Sequence, residues 1–82
     1  MNICYSPGIL DEMNIRKGFR EFMKVAIKKF FLGDWGEVEF EDAAHNDKNP
    51  QAAIGAYMYQ DEIKVYIKAE GGHLRVFLPE EC

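Results

Sequence analysis

The chain has 82 residues and is poor in the side chains that carry most covalent and metal chemistry. It holds one serine, Ser6, two histidines, His45 and His73, and two cysteines, Cys4 and Cys82. A zinc site needs three or four ligands at characteristic spacing, and there is no CxxC or HxxxH, so no metal is expected. A Cys–His pair could form only through folding, and nothing local favours one. Carboxylates are plentiful, but fourteen acids in a small domain ordinarily form solvated surface. With no catalytic set and no cofactor motif, a non-enzymatic protein is expected. Two lone cysteines, one near each end, are too few for a disulfide framework, which points to a reducing, cytoplasmic setting. They could meet only if the termini do. The opening "MNICYSPG" lacks the charge and the apolar length of a signal peptide. The longest apolar stretch is far below a membrane span. Repeats, low-complexity tracts and linkers are absent too, so residues 1–82 read as one α+β domain.

What is there suits a small globular fold. Hydrophobic residues make up 48% and aromatics 13%, which argues against disorder. The net charge of -4 weakens a general nucleic-acid reading, because phosphate binding relies on cationic surface. A local basic face could still supply it.

The pattern along the chain sets the architecture. "NICY" is a short β-prone run. Ser6 can cap a short N-terminal helix with Pro7 in its first turn. Asn14 and Gly18 are soft spots within the helical region. The strongest helical signal runs from about Ile15 to Leu32, where Phe19, Phe22, Met23, Ala26, Ile27 and Phe30 share one apolar face. Beyond it, "DWGEVEFED" reads as a turn plus a short extended or irregular piece, with Val38 and Phe40 alternating with glutamates. "EDAAHNDKN" is either one or two helical turns or a loop. Three strands follow at 52–59, 63–69 and 73–78, joined by the short turns "QDE" and "EGG". The predicted fold is a two-layer α+β domain: a long helix, plus the short one, on a three-stranded antiparallel meander. The N-terminal strand is free to add at a sheet edge.

Two surfaces stand out as candidate binding sites. If Ile63, Val65, Ile67, Leu74 and Val76 face the helix, then Lys64, Tyr66, Lys68, His73, Arg75 and Phe77 share the other side. Tyr57 and Tyr59 join them in one of the two registers. Aromatics interleaved with cations can stack bases and hold phosphates. They can equally form a protein interface, or simply stabilise a half-exposed sheet. No glycine-rich phosphate loop or RNP-like aromatic signature lifts the nucleic-acid option. The second surface is a basic stripe on the long helix, Arg16, Arg20, Lys24 and Lys28. Six acidic residues follow it directly, between Asp34 and Asp47. The two sets either neutralise each other, by pairing across the turn or by field alone, or present a bipolar docking surface.

"GDWG" is best explained structurally. Gly33 supplies a positive φ at the helix end, Asp34 bonds the turn, Trp35 folds back over the helix end, and Gly36 lets the chain turn again.

"GDWGEVEFEDAAHND" and "IKVYIKAEGGHLRVFLPEEC" together resemble a group of short, uncharacterised proteins from bacterial plasmids, phages and other mobile elements. The group's pattern has a "TPG"-like helix start, "GDWG" plus an acid, a downstream "ED…N", and a hairpin ending in "LPEEY". The matching residues are Ser6-Pro7-Gly8, Gly33-Asp34-Trp35-Gly36-Glu37, Glu41-Asp42 with Asn46, and Leu78-Pro79-Glu80-Glu81. The chain departs at Ser6 and at Cys82, where an aromatic is usual. The resemblance implies a mobile-element origin and carries no activity. Small acidic proteins of such elements often act by binding another protein, antagonists of host defence among them. The expected function is therefore a protein-binding module, an accessory or counter-defence factor, with a nucleic-acid-binding accessory as the alternative. Homo-oligomers are compatible with either, and no membrane partner is expected.

Overall fold

The computed structural model describes residues 2–81. The chain is α+β, with three helices and a four-stranded mixed sheet among the described residues. In order, the elements are β1 (Asn2–Tyr5), α1 (Pro7–Ile15), α2 (Phe19–Phe31), α3 (Phe40–Lys48), β2 (Ile54–Tyr59), β3 (Ile63–Glu70) and β4 (His73–Phe77). Single 3₁₀ turns occupy Pro50–Ala52 and Pro79–Glu81.

The predicted short and long helices are α1 and α2, and the long one begins at Phe19 rather than near Ile15. Arg16 leaves α1 in an extended conformation, and Gly18 precedes α2 with φ at +86°. A left-handed residue stops one helix and re-aims the next, and glycine adopts it with least strain. Helix α2 then buries Phe19, Met23, Ala26 and Phe30, a single face at helical spacing. It ends on Gly33, with φ at +82°. The Gly33 N–H donates to the Phe30 carbonyl and the Asp34 N–H to that of Lys29, the paired bonds of a Schellman stop.

The sheet order is β1-β4-β3-β2. The three expected strands form the antiparallel meander, and β1 adds beside β4, in parallel. The sheet is therefore mixed rather than purely antiparallel. Its tight turns use left-handed pairs, Gln60–Asp61 and Gly71–Gly72, which match the strand twist. Ile3 and Tyr5 from β1, Leu74 and Val76, and Val65 and Ile67 pack with Ile9, Phe19, Met23 and Phe30 into the core.

Of the acidic segment, 34–39 is turn and irregular chain, as read, and the helical alternative holds for the rest: α3 runs Phe40–Lys48 and takes in Phe40, which the alternation places in the extended piece. Phe40 opens the helix with its ring 85% exposed. Tertiary bonds hold α3 at the outer edge of β2. Buried Asn46 donates Nδ2 to the Ile54 carbonyl at 2.8 Å and accepts the Ile54 N–H at 3.2 Å. Two residues on, the Glu37 N–H donates to the Ala56 carbonyl, and the Ala56 N–H to that of Trp35. The edge groups of Ile54 and Ala56 are thus satisfied, which blunts an edge that would otherwise template another strand.

The two ends of the described chain clasp each other. Glu81 accepts from the Ser6 hydroxyl and the Leu78 N–H on one carboxylate oxygen, and from the Gly8 N–H on the other. Ser6 in turn caps α1 by accepting the Ile9 N–H. A Cβ on Gly8 would come within 2.8 Å of the Glu81 carboxylate and of the Leu78 side chain, so a side chain there would have to displace the clasp. The Ser6 hydroxyl, then the amides of Leu78 and Gly8, hold the Glu81 carboxyl below its ordinary range. A depressed carboxyl stabilises the fold above the unfolded-state value, about 4.3 for Glu, and loses that contribution as pH falls through the lower folded value. Glu81→Gln is expected to destabilise by about 2 kcal/mol at neutral pH, because its amide would face a backbone N–H. The deficit should shrink on acidification below the ordinary carboxyl range. Urea unfolding at several pH values, followed by Trp35 fluorescence, measures both. Cys82 lies outside the described residues.

Candidate functional site

The β3–β4 register assembles most of the predicted face. Tyr66 stands opposite Phe77, Lys68 opposite Arg75, and Glu70 opposite His73. On β2 their neighbours are Ala56 beside Tyr66 and Met58 beside Lys64. Exposed Cys4, on β1, is the register partner of Arg75. The Tyr66 and Phe77 rings lie 5.6 Å apart. The Arg75 guanidinium covers the Phe77 ring at 4.4 Å, and the Lys64 ammonium lies 5.4 Å from the Tyr66 ring. Phe77 is consequently buried: it floors the face and is not a contact on it. The half-exposed side chains are Lys64, Tyr66, Lys68, His73 and Arg75.

A carboxylate organises these cations. Glu70 lies 3.3 Å from Arg75 Nε and 3.6 Å from Lys68 Nζ, with the His73 ring nitrogen Nε2 at 3.9 Å. Arg75 Nε is buried without a hydrogen bond of good geometry, so charge attraction and ring stacking hold it. A shallow hollow then joins Lys64, Tyr66, Ile54 and Ala56 to Glu37, Val38, Glu39 and Asp42. The acidic segment therefore borders the cationic face. The sequence reading missed this because β2 lies between them only in the folded chain.

Tyr57 and Tyr59 are not on this face. Their partners Val65 and Ile63 point to the helix side, and both rings are buried there. Tyr59 packs on Phe19 and Phe22 at 5.1 and 5.4 Å and donates its hydroxyl to the Lys17 carbonyl. Tyr57 donates to the Asp34 carbonyl at 2.8 Å, and burial, then the Asp34 charge, pushes its hydroxyl well above the ordinary range. "IGAYMY" is apolar in both alternating phases, so the pattern alone could not choose the phase.

The basic stripe is shorter than predicted. Arg16 sits in the link after α1, tied to Glu12 at 2.9 Å and Glu62 at 3.3 Å. Arg20, Lys24 and Lys28 remain on α2. Arg20 donates to Asn14 and Lys24 pairs with Glu21, while Lys28 has no ion pair among the described residues. None of the stripe pairs with the acids that follow Gly33, so pairing across the turn does not occur. Asp34 closes the turn that ends α2, and Glu37 lines a hollow with Lys29 of α2 without an ion pair between them.

Each residue of "GDWG" has a structural contact. Asp34 accepts the Gly36 N–H at 3.1 Å. Trp35 is 8% exposed, meets Phe30 edge-on at 5.2 Å and donates Nε1 to Asp47 at 2.9 Å. Gly36, with φ at +74°, lies against the Ala56 carbonyl. His45 lies on α3 and His73 on β4. No cluster of three or more His, Cys, Asp or Glu side chains placed to hold a metal ion exists among the described residues. No helix there is long and apolar enough to cross a membrane. Compared with protein-family models, curated proteins and solved structures, the chain matches none.

Proposed function

We propose that this chain is a non-enzymatic protein-binding module of the mobile-element type, an accessory or counter-defence factor, that engages its partner through the outer face of the sheet. One observation carries the reading. Lys64, Tyr66, Lys68 and Arg75 form a half-exposed aromatic–cationic strip, on the side of the sheet away from α1 and α2. Tyr and Arg are the side chains that contribute most at protein interfaces, where a rigid ring and a stacked guanidinium lose little entropy on docking.

Charge favours a protein over a nucleic acid. Glu70 stands among the cations, and Glu37, Glu39 and Asp42 border them. Phosphates would be repelled by these four carboxylates, whereas a protein surface of mixed charge can complement both signs. The partner is expected to carry an acidic or carbonyl-rich patch for Lys64 and Arg75, beside a cationic group for the Glu37–Asp42 border.

Affinity capture from a bacterial lysate tests this. A specific protein retained on the immobilised chain is expected, and retention of none above background would contradict the proposal. Gel shifts at low salt test the alternative. Binding of single- or double-stranded probes that Lys64→Ala and Arg75→Ala both weaken would replace a protein partner with a nucleic acid.

A further inference from the structure

A second surface, which shares only His73 with the outer sheet face, lies at the C-terminal end of α2. Phe31 and Leu32 are 55% and 75% exposed there. They form one wall of an open apolar cleft of about 640 Å³, which Trp35 and Leu74 also line. The opposing walls include Pro50 and Asp47 from the segment after Trp35. Neither protruding side chain has a role in the core. Two adjacent large apolar residues at a helix end, next to an apolar recess, mark an interaction site.

We propose that the occupant is a second copy of this chain. A two-fold dimer uses one patch on both partners, so the patch must carry both a protrusion and a recess. This one does: Phe31 and Leu32 protrude at the rim of the cleft they line. The charges are also self-complementary. Lys28 stands one turn before Phe31 and Leu32 on α2, without an ion pair among the described residues. Asp47 lines the cleft from α3 and uses Oδ1 for the Trp35 indole, leaving its other oxygen for a cation. In the proposed two-fold dimer, seating Phe31 and Leu32 of each copy in the other's cleft would carry Lys28 toward the Asp47 that lines it. Lys64, Tyr66, Lys68 and Arg75 do not line this cleft, so the dimer would present that strip twice.

Sedimentation velocity over a hundredfold concentration range, up to about 0.5 mM, tests this in a regime where small interfaces are populated. The expected result is a concentration-dependent monomer–dimer equilibrium. Leu32→Glu should abolish it and Lys28→Glu should weaken it at least fivefold. Both side chains are exposed, so the melting temperature of each variant should match wild type. A wild-type chain that stays monomeric across the range would overturn the proposal. So would dimers that persist undiminished in Leu32→Glu. The readout is independent of lysate capture, so either idea can fail alone.

Discussion

Gly36→Ala should destabilise the fold by about 3 kcal/mol or more, a large share of what an 82-residue domain has. Two effects add. Position 36 has φ at +74°, which a side chain tolerates poorly, and a Cβ there would lie 2.1 Å from the Ala56 carbonyl oxygen. That oxygen belongs to backbone that accepts the Glu37 N–H, so it cannot swing away without opening the edge of β2. Gly33 is the internal control. Its φ of +82° is just as left-handed, but no atom stands within 4 Å of its Cβ position. Gly33→Ala should therefore lose only about 1 kcal/mol. Urea denaturation of both variants checks the contrast, and equal losses would show that close packing at Gly36 is unimportant.

Trp35→Ala should lose about 3–5 kcal/mol, the usual range for deleting a buried aromatic. The indole packs edge-on to Phe30, and its N–H bonds Asp47, so its removal opens a cavity and frees α3 from the helix end. Any loss of partner binding should track the unfolded fraction. Thermal unfolding by circular dichroism, measured beside binding, separates the two. A variant that melted like wild type yet bound nothing would make Trp35 a contact residue instead of a core plug.

Much of the fold was legible where local pattern decides it. The apolar face of α2, the glycine stop at Gly33, and the alternation of β3 and β4 all appear as read. The misreadings occur where distant residues decide. The two helices and the weak point at Gly18 were legible, but the long helix begins at Phe19 and not near Ile15, because Arg16 is extended and Gly18 left-handed, which the apolar periodicity does not reveal. The phase of β2 was undecidable because Ile54, Ala56 and Met58 are as apolar as Gly55, Tyr57 and Tyr59. Helix α3 depends on Asn46 reaching the edge of β2. The residues that carried the family resemblance also gain a physical reason. Ser6-Pro7-Gly8 and Leu78-Pro79-Glu80-Glu81 meet through the Glu81 carboxylate, and Gly33 to Gly36 join α2 to β2. Those residues build the scaffold. The proposed binding strip uses others, chiefly Lys64, Tyr66, Lys68 and Arg75, and its acidic border lies beyond Gly36.

That separation of scaffold from surface is the central claim, and paired melting and capture on Lys64→Glu/Lys68→Glu tests it most directly. Both side chains are half-exposed, and neither touches the helix layer. The account predicts a melting temperature within about 4 °C of wild type together with loss of the captured protein. Undiminished capture by the well-folded variant would contradict it.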